Sequence, residues 1–407
     1  MKTKLIALSV FAATAVTVTF FPTIQHALAK ATQPPIIVDL DPVISPALAN
    51  IDNPKIEVVF VLDTTGSMSG LIDAAKEKIW SIASTMASAQ NAPDIKMGLV
   101  AYRDRGDAYV TQSVSLSSDL DSMYAKLMDY QADGGGDTPE SVNQALYEAV
   151  NNMPWSQYQN TYKVVFLVGD APAHMDYQDD VKYPETIKIA KTKGIIINTI
   201  QAGQDSETTA NWQQMASLAN GDYFQVEQSG NAVAIATPYD KKMAALSKEL
   251  DDTRLYYGDR EQKEKQANKL AATSKLHERA SDESRARRAE FNTTASGKAN
   301  FLGENELVDA IVNGDVELTS INNEDLPESI QAMPTEEQVI FIQQKAEKRD
   351  NLKEEMKALT EKRNDYLKKQ VEAEGGKKDS FDAKIFSSIQ AQTKEKGLIY
   401  SADSIKY

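Results

Sequence analysis

The chain has 407 residues, no cysteine, and a formal net charge of -15 from 59 acidic and 44 basic residues. Without cysteine it cannot form disulfides, thiolate metal sites or a cysteine nucleophile, and its acidic balance disfavours nucleic acid as a partner. The apolar fraction of 42% is sufficient for an ordinary core, and a chain of this length can hold about two or three domains.

Residues 1–29 have the pattern of a secretory signal peptide. Lys2 and Lys4 precede an apolar stretch, and Ala27-Leu28-Ala29 is a small-x-small cleavage site. We therefore expect cleavage after Ala29 and export to a periplasm or the extracellular space. An uncleaved membrane anchor is the alternative, and only in that case would the chain be attached to a membrane.

Residues 30–54 are rich in proline and lack a helical period, which predicts a linker. Strand and helix signals then alternate over residues 55–235, and this alternation predicts a doubly wound, mainly parallel α/β sheet with helices on both faces. The predicted strands are Ile56 to Leu62, Lys96 to Tyr102, Tyr109 to Leu116, Tyr162 to Val168, Ile195 to Ile200 and Tyr223 to Val226.

Two of these strands are expected to pair differently from the rest. The loop Arg103 to Asp107 is too short for a crossover helix, so the strands on either side of it are predicted to form an antiparallel hairpin at a sheet edge. Between the sheet strands, Thr138-Pro139 is predicted to start a helix, with Thr138 as N-cap and Pro139 at the first helical position.

Residues 236–407 carry helical patterns and no strand signal. A periodic run from Thr335 to about Glu374 has an apolar face that Arg349 and Arg363 interrupt. It is predicted to pack as a helical hairpin with the segment that begins at Asp259; a long homo-oligomeric coiled coil is the alternative.

Oxygen-bearing side chains are concentrated directly after the first strand. Asp63, Thr65 and Ser67 occupy alternate positions of a short turn. This spacing can direct one carboxylate and two hydroxyls to a single point, which suits a hard cation better than a soft metal.

Two later loops can contribute to the same point. Thr138 follows Gly134-Gly135-Gly136, and Asp170 follows the strand that ends near Val168. Because the carboxyl ends of parallel strands share one crevice, these loops are expected to converge with the first. Two carboxylates and three hydroxyls suit Mg²⁺, Mn²⁺ or Ca²⁺, and are a poor shell for Zn²⁺.

The motifs Asp63-Thr64-Thr65-Gly66-Ser67, Gly136-Asp137-Thr138-Pro139-Glu140 and Gly169-Asp170-Ala171-Pro172 resemble, in order, the metal-ion-dependent adhesion site of the von Willebrand factor type A family. The resemblance implies that Thr65, Ser67 and Thr138 are hydroxyl ligands and that Asp63 and Asp170 act directly or through water. Thr65 departs from the serine that many members have, but it keeps the hydroxyl.

The resemblance implies an exported, cation-dependent protein-binding or adhesion module, with Mg²⁺ as the first choice of cation and no enzymatic activity. The cation would complete its shell with an acidic side chain of a protein partner. Two alternatives remain: a metal-assisted hydrolase or phosphotransferase with Asp63 as nucleophile, and an envelope scaffold that acts through the helical region. That region resembles the C-terminal extensions of some bacterial exported members.

Other conspicuous side chains are expected to be structural. His174 and His277 are predicted to be solvent-exposed, and Arg285-Ala286-Arg287-Arg288 is predicted to form intramolecular salt bridges. Trp80, Trp155 and Trp212 are expected to pack in the core.

Overall fold

A computed structural model describes residues 53–136, 138–228, 235–373 and 381–400. The predicted signal peptide and nearly all of the predicted linker lie outside these residues. Within the described ranges, no helix combines the length and the apolar composition that a membrane span requires.

The described part of the chain contains a six-stranded sheet with strand order β3-β2-β1-β4-β5-β6. All neighbouring strands are parallel except β2 and β3, which form the predicted antiparallel edge hairpin. The strands are β1 Lys55–Asp63, β2 Asp94–Tyr102, β3 Thr111–Ser117, β4 Tyr162–Gly169, β5 Ile195–Ala202 and β6 Tyr223–Val226.

Helices cover both faces of the sheet, which confirms the predicted fold class. Val58 and Phe60 of β1 pack in one core cluster and Val59 and Val61 in the other, as the period of two in a strand requires. The first cluster contains α1 and α2, and the second contains α3, α4 and α5. These helices are α1 Ser69–Ala87, α2 Leu120–Leu127, α3 Val142–Tyr147, α4 Tyr183–Thr192 and α5 Ser206–Leu218.

The C-terminal part is helical, as predicted, and packs directly on the sheet domain. Helix α7 contacts α2, and both α8 and α13 contact α1. Phe291 of α8 and Ile385 of α13 belong to the same core cluster as β1. The helices are α6 Asp240–Asp251, α7 Arg260–Arg279, α8 Asp282–Asn292, α9 Lys298–Leu302, α10 Leu307–Val312, α11 Glu328–Gln331, α12 Thr335–Ala373 and α13 Phe381–Gln392.

The long helix α12 does not form the predicted hairpin. The segment from Asp259 divides at Ala280, where extended backbone precedes the N-cap Ser281 of α8. Helix α7 then packs on α2, whereas α12 packs on α6, α10 and α8. The two arginines that interrupt the apolar face of α12 point into this packing, because Arg349 pairs with Glu306 at 2.9 Å and Arg363 pairs with Asp240 at 2.6 Å.

A buried ionic group, here called the Arg288 cluster, joins α2 to the C-terminal helices. It consists of Arg288, Asp121, Asp251 and His277. Arg288 lies 2.5 Å from Asp121 Oδ2 and 2.7 Å from Asp251 Oδ2, which confirms the predicted salt bridges. His277 Nε2 lies 2.7 Å from Asp251 Oδ2, so the prediction that His277 is solvated is wrong.

The Arg288 guanidinium keeps both carboxylates of this cluster charged. Burial alone would raise the pKa of each, but the charges of Arg288 and Arg254, together with hydrogen bonds from His277 and Arg288, outweigh burial and lower the pKa of Asp251 to about 2. The pKa of Asp121 is lowered further for the same reason. In the cluster, therefore, buried negative charge is balanced by a cation from the chain itself.

Candidate metal centre

The first predicted loop places three oxygens together, as the sequence indicates. Asp63 is the last residue of β1 and is fully buried. Its Oδ1 accepts hydrogen bonds from Thr65 N at 2.9 Å and from Thr65 Oγ1 at 2.7 Å. Thr65 Oγ1 lies 3.4 Å from Ser67 Oγ, so the two hydroxyls and the carboxylate form one polar cluster at the N-terminus of α1.

The second oxygen of Asp63 has a different environment. Asp63 Oδ2 is buried and has no hydrogen-bond partner among the described residues. Burial raises the pKa of Asp63 to about 7 against the hydrogen bonds from Thr65, and the nearby charge of Asp170 contributes to the rise. Asp63 is therefore a buried carboxylate without a balancing cation from the described part of the chain.

The third loop is connected to the first by a residue that sequence analysis did not identify. Gln228, just after β6, donates from Nε2 to Asp170 Oδ2 at 2.7 Å and to the carbonyl oxygen of Ser67 at 3.1 Å. The carbonyl of Asp170 accepts from Thr208 Oγ1 at 3.1 Å. Asp170 therefore lies close to the first loop, as the sequence predicts. The Gln228 side chain makes this contact, and no sequence motif indicates its role.

The second loop approaches the first through its backbone. Gly66 N donates to Gly134 O at 3.1 Å, and Asp133 N donates to Thr64 O at 3.2 Å. Gly135 has φ +72, and a Cβ there would lie 3.0 Å from Thr65 Cβ. Glycine is thus needed where this loop crosses the first.

Thr138 does not lie at the start of a helix. Its side chain is exposed, its bond to Pro139 is cis, and no hydrogen bond found among the described residues joins it to Asp63, Thr65, Ser67 or Asp170. The prediction that Thr138 caps a helix is wrong. Helix α3 starts at Val142 with Ser141 as N-cap, because Glu140 N donates to Pro172 O and so keeps this stretch beside the third loop.

Glu140 is a second buried carboxylate near the first loop, and sequence analysis overlooked it although it belongs to the quoted second motif. The residue is 4% exposed, and its Oε2 has no partner among the described residues. A Cβ at Gly135 would lie 3.3 Å from Glu140 Oε1 and 3.0 Å from Thr65 Cβ, which places Glu140 beside Thr65. Burial and the charges of Asp63 and Asp104 raise the pKa of Glu140 to about 9.

Tyr102, at the end of β2, is close to Asp63. Its hydroxyl is buried and has no hydrogen-bond partner among the described residues. A Cβ at Gly169 would lie 2.5 Å from that hydroxyl and 3.1 Å from Asp63 Oδ2, so glycine leaves room for both groups. Burial and the charge of Asp63 raise the pKa of Tyr102 well above its usual range.

His174 is buried, so the prediction of a surface residue is wrong. Its Nδ1 lies 2.7 Å from Asp176 Oδ1 and its Nε2 lies 3.4 Å from Asp104 Oδ2. Asp104 also accepts hydrogen bonds from Ser141 and Tyr177, both at 2.8 Å. These contacts connect the loops after β2 and β4 and brace the base of the second loop.

The side chains of this site fit a hard cation. Within the described ranges, no three His, Cys, Asp or Glu side chains are placed to hold a metal ion together, so a cation here would depend on hydroxyl ligands as well as carboxylates. The unpartnered Oδ2 of Asp63 and the adjacent hydroxyls of Thr65 and Ser67 provide such a mixed donor set.

The family model of the von Willebrand factor A domain matches residues 57–237. The chain contains a von Willebrand factor A domain. The match covers the six-stranded sheet and the three loops of the site.

Curated relatives match about a quarter of this chain or slightly more. The von Willebrand factor A domain-containing protein 7 of Rattus norvegicus is 38% identical over 101 residues, which are 25% of this chain and 11% of that protein. The chain spans 11% to 19% of the length of the curated relatives that it matches. The similarity therefore extends to the domain and leaves the activities of the whole relatives aside.

Two solved structures are similar to part of this chain at low sequence identity. The SpRpn10 VWA domain is 14% identical, with a TM-score of 0.34 and coverage of 44% of this chain and 90% of that one. Proximal thread matrix protein 1 from the mussel byssus, solved with a zinc-occupied MIDAS motif, is 15% identical, with a TM-score of 0.34 and coverage of 42% of each chain.

Proposed function

We propose that the von Willebrand factor A domain of this chain binds a divalent cation, Mg²⁺ in the first place, and uses it to bind a protein partner. The observation that carries the proposal is the Asp63 carboxylate. It is fully buried, one of its oxygens lacks a partner, and two side-chain hydroxyls stand next to it. Burying such a charge is costly unless a cation or a set of donors balances it.

The predicted ligands differ in the contacts that join them to one another. Asp63, Thr65 and Ser67 are in mutual contact, and Asp170 is joined to Ser67 through Gln228. Thr138 is proposed from the sequence resemblance alone. A cation held by these groups would supply positive charge at the carboxyl edge of the sheet.

The donor set also accounts for the use in binding. Hydroxyl ligands are neutral, and a carboxylate that acts through water lies outside the inner shell of the cation, so the bound cation keeps positive charge and room for a further anionic ligand. An acidic side chain of a protein partner is such a ligand. A von Willebrand factor A domain is a protein-interaction module, and this site gives the interaction a cation-dependent chemistry.

We further propose that the protein is exported, on the pattern of residues 1–29. Mg²⁺ and Ca²⁺ are both hard cations that this donor set can accept. Fractionation of cells that express the full chain, with sequencing of the mature N-terminus, tests this part. A chain that stays intact and remains in the cytoplasm would contradict it.

The cation is tested by calorimetry on the metal-free full chain with Mg²⁺, Mn²⁺ and Ca²⁺. We expect one site per chain, lost in Asp63→Asn and in Asp170→Ala. Asp73→Asn is the matched control, because Asp73 is an exposed carboxylate on the same helix that follows the loop. Absence of binding by all three cations, or binding that Asp63→Asn leaves unchanged, would refute the proposal.

The use of the site is tested separately. If the cation were catalytic, a screen of aryl phosphates, esters and peptides would find a metal-dependent turnover that Asp63→Asn abolishes, and binding would then be the wrong function. We expect no such turnover. We expect instead that capture of a partner from the cell envelope is lost in EDTA and in Asp63→Asn and is retained in Asp73→Asn.

A further inference from the structure

The loops that surround the proposed cation site carry an excess of exposed acidic side chains. They follow β2, β4, β5 and β6, and therefore lie at the same edge of the sheet as Asp63. Five carboxylates on these loops and on the first turn of α5 are exposed or half-buried and have no Lys or Arg ion pair within the described ranges. We call these residues the acidic rim: Asp107, Asp176, Asp205, Glu207 and Glu227.

The basic residues on the same loops are already engaged. Arg103 pairs with Asp133 at 3.8 Å, and Arg105 pairs with Asp179 at 2.9 Å and with Asp180 at 2.6 Å. Lys182 is the remaining cation on the described parts of these loops, and its Nζ donates to the carbonyl of Tyr177. The rim thus keeps a net negative charge that the chain does not balance locally.

The edge of the sheet that carries the rim also has an independent mark of ligand binding. Asp63 Oδ2, at the same edge of the sheet, is buried and has no hydrogen-bond partner among the described residues. Asp63 and Asp170 together balance a divalent cation, so an approaching carboxylate meets the field of the rim before it reaches the cation. At physiological ionic strength this field extends roughly 8 Å from each charge.

We propose that the protein partner presents its acidic side chain in a segment that also carries lysines or arginines, whose cations lie against the acidic rim. This inference rests on the function proposed above and specifies the chemistry of the partner. Basic residues convert the repulsion of the rim into attraction, and they speed association as well as strengthen it.

The spacing of the fold sets where these basic residues should lie. Neighbouring strands are about 4.8 Å apart, so the end of β5 lies roughly 10 Å from β1, and the loop after β6 comes closer to the first loop because Gln228 donates to the Ser67 carbonyl at 3.1 Å. Residues of an extended segment are about 3.3 Å apart, and a lysine side chain reaches several ångströms further. Basic residues two to four positions from the acidic residue can therefore reach Glu207 and Glu227.

The test uses the full chain, loaded with Mg²⁺, and a displayed library of eleven-residue peptides with a fixed central aspartate and random flanks. We expect selection to enrich Lys and Arg within four positions of the aspartate, and EDTA to release the selected peptides. A selected peptide is then synthesised and measured against two variants. Glu207→Gln combined with Glu227→Gln should weaken its affinity about two- to fivefold.

The matched control is Glu347→Gln combined with Glu354→Gln, which removes the same charge from an exposed face of α12 and should leave the affinity unchanged. Enrichment of neutral or acidic flanks, enrichment of no peptide, or equal effects of the two double variants would overturn the inference. Selected peptides that bind without Mg²⁺ and without their aspartate would refute the proposed function instead. EDTA-sensitive, aspartate-dependent peptides without basic flanks would refute this inference alone.

Discussion

Two regions of the molecule bury acidic side chains, and they treat them in opposite ways. In the Arg288 cluster, Asp121 and Asp251 are buried against a guanidinium, and their pKa values fall. At the carboxyl edge of the sheet, Asp63 and Glu140 are buried without a Lys or Arg partner within the described ranges, and their pKa values rise to about 7 and about 9.

The difference separates a structural use of buried charge from a functional one. The Arg288 cluster is complete, because each carboxylate has its cation and the group holds α2 against α6 and α8. The carboxyl-edge carboxylates have no such cation among the described residues and are neutralised only by a proton or a ligand, which is typical of a ligand site. The four predictions below test this contrast, from the largest expected effect to the smallest.

Arg288→Met should have the largest effect, because it leaves Asp121 and Asp251 buried and unpaired. Removal of one partner from a buried ion pair costs about 3–5 kcal/mol of unfolding free energy. The control is Arg279→Met, whose ion pair with Asp129 is half exposed and should cost less than about 1 kcal/mol. Urea unfolding in EDTA measures both, and equal costs would show that the cluster is not structural.

Neutralising one carboxylate in each region should give opposite results. Asp121→Asn should destabilise the metal-free chain by about 3 kcal/mol, because Arg288 loses a buried counter-charge. Asp63→Asn removes a buried charge that has no cation, so the metal-free chain should change by less than about 1 kcal/mol or become more stable. Unfolding at pH 8, where Asp63 is ionised in the wild type, measures both. A large loss in Asp63→Asn would contradict the contrast.

Acid should weaken the fold through the Arg288 cluster. The pKa of Asp251 is about 2 in the folded chain and about 3.9 when unfolded, so the unfolded chain binds more protons in this range. The stabilisation is present above about pH 4 and is lost as the pH falls to about 2. Unfolding free energies measured between pH 6 and pH 2 should fall less steeply in Arg288→Met than in the wild type. If unfolding free energy falls with pH equally in both proteins, groups outside the Arg288 cluster cause the acid sensitivity.

The smallest effect is expected at Gln228, whose amide donates to Asp170 and to the Ser67 carbonyl. A cation at the site competes with this donor for Asp170. Gln228→Ala removes this competing hydrogen bond, which is worth about 0.5–1.5 kcal/mol. The substitution should therefore raise the affinity for Mg²⁺ about two- to tenfold. The control is Gln225→Ala on β6, which removes a hydrogen bond from the Gln225 amide to the carbonyl of Gly203. Calorimetry showing weaker binding in Gln228→Ala would make Gln228 a supporting residue instead of a competitor.

The fold was predictable because its signals are local. Apolar β-branched runs marked the strands, and the short loop Arg103 to Asp107 indicated the antiparallel edge pair that the structure contains. The first loop was predictable for the same reason, since Asp63, Thr65 and Ser67 are contiguous. These features depend on residues that are neighbours in the chain.

The features that were missed depend on residues far apart in the chain. Gln228 reaches Asp170 and Ser67 from the end of β6, and His277 reaches Asp251 from another helix. The start of α3 was misplaced because Glu140 pairs with Pro172 of the third loop, which outweighs the capping preference of Thr138. No local pattern reports such contacts.

The packing of the helical region also depends on residues that are far apart in the chain. The helical patterns of residues 236–407 do not indicate what this region packs against, whereas in the structure α7, α8 and α13 pack on α2 and α1. Phe291 lies 6.0 Å from the ring of Trp80. Removal of these helices would expose the core beneath them, so tests of the site need the full chain and point substitutions.

The most direct test of the central claim is a crystal structure of the full chain with Mn²⁺, in which anomalous scattering locates the cation. The account predicts one manganese peak within about 2.0–2.3 Å of the Thr65 and Ser67 hydroxyls, with the Asp63 and Asp170 carboxylates directly or through water beside it. The peak should be absent in Asp63→Asn. A manganese peak elsewhere on the chain, or a peak that persists without the Asp63 carboxylate, would contradict the account.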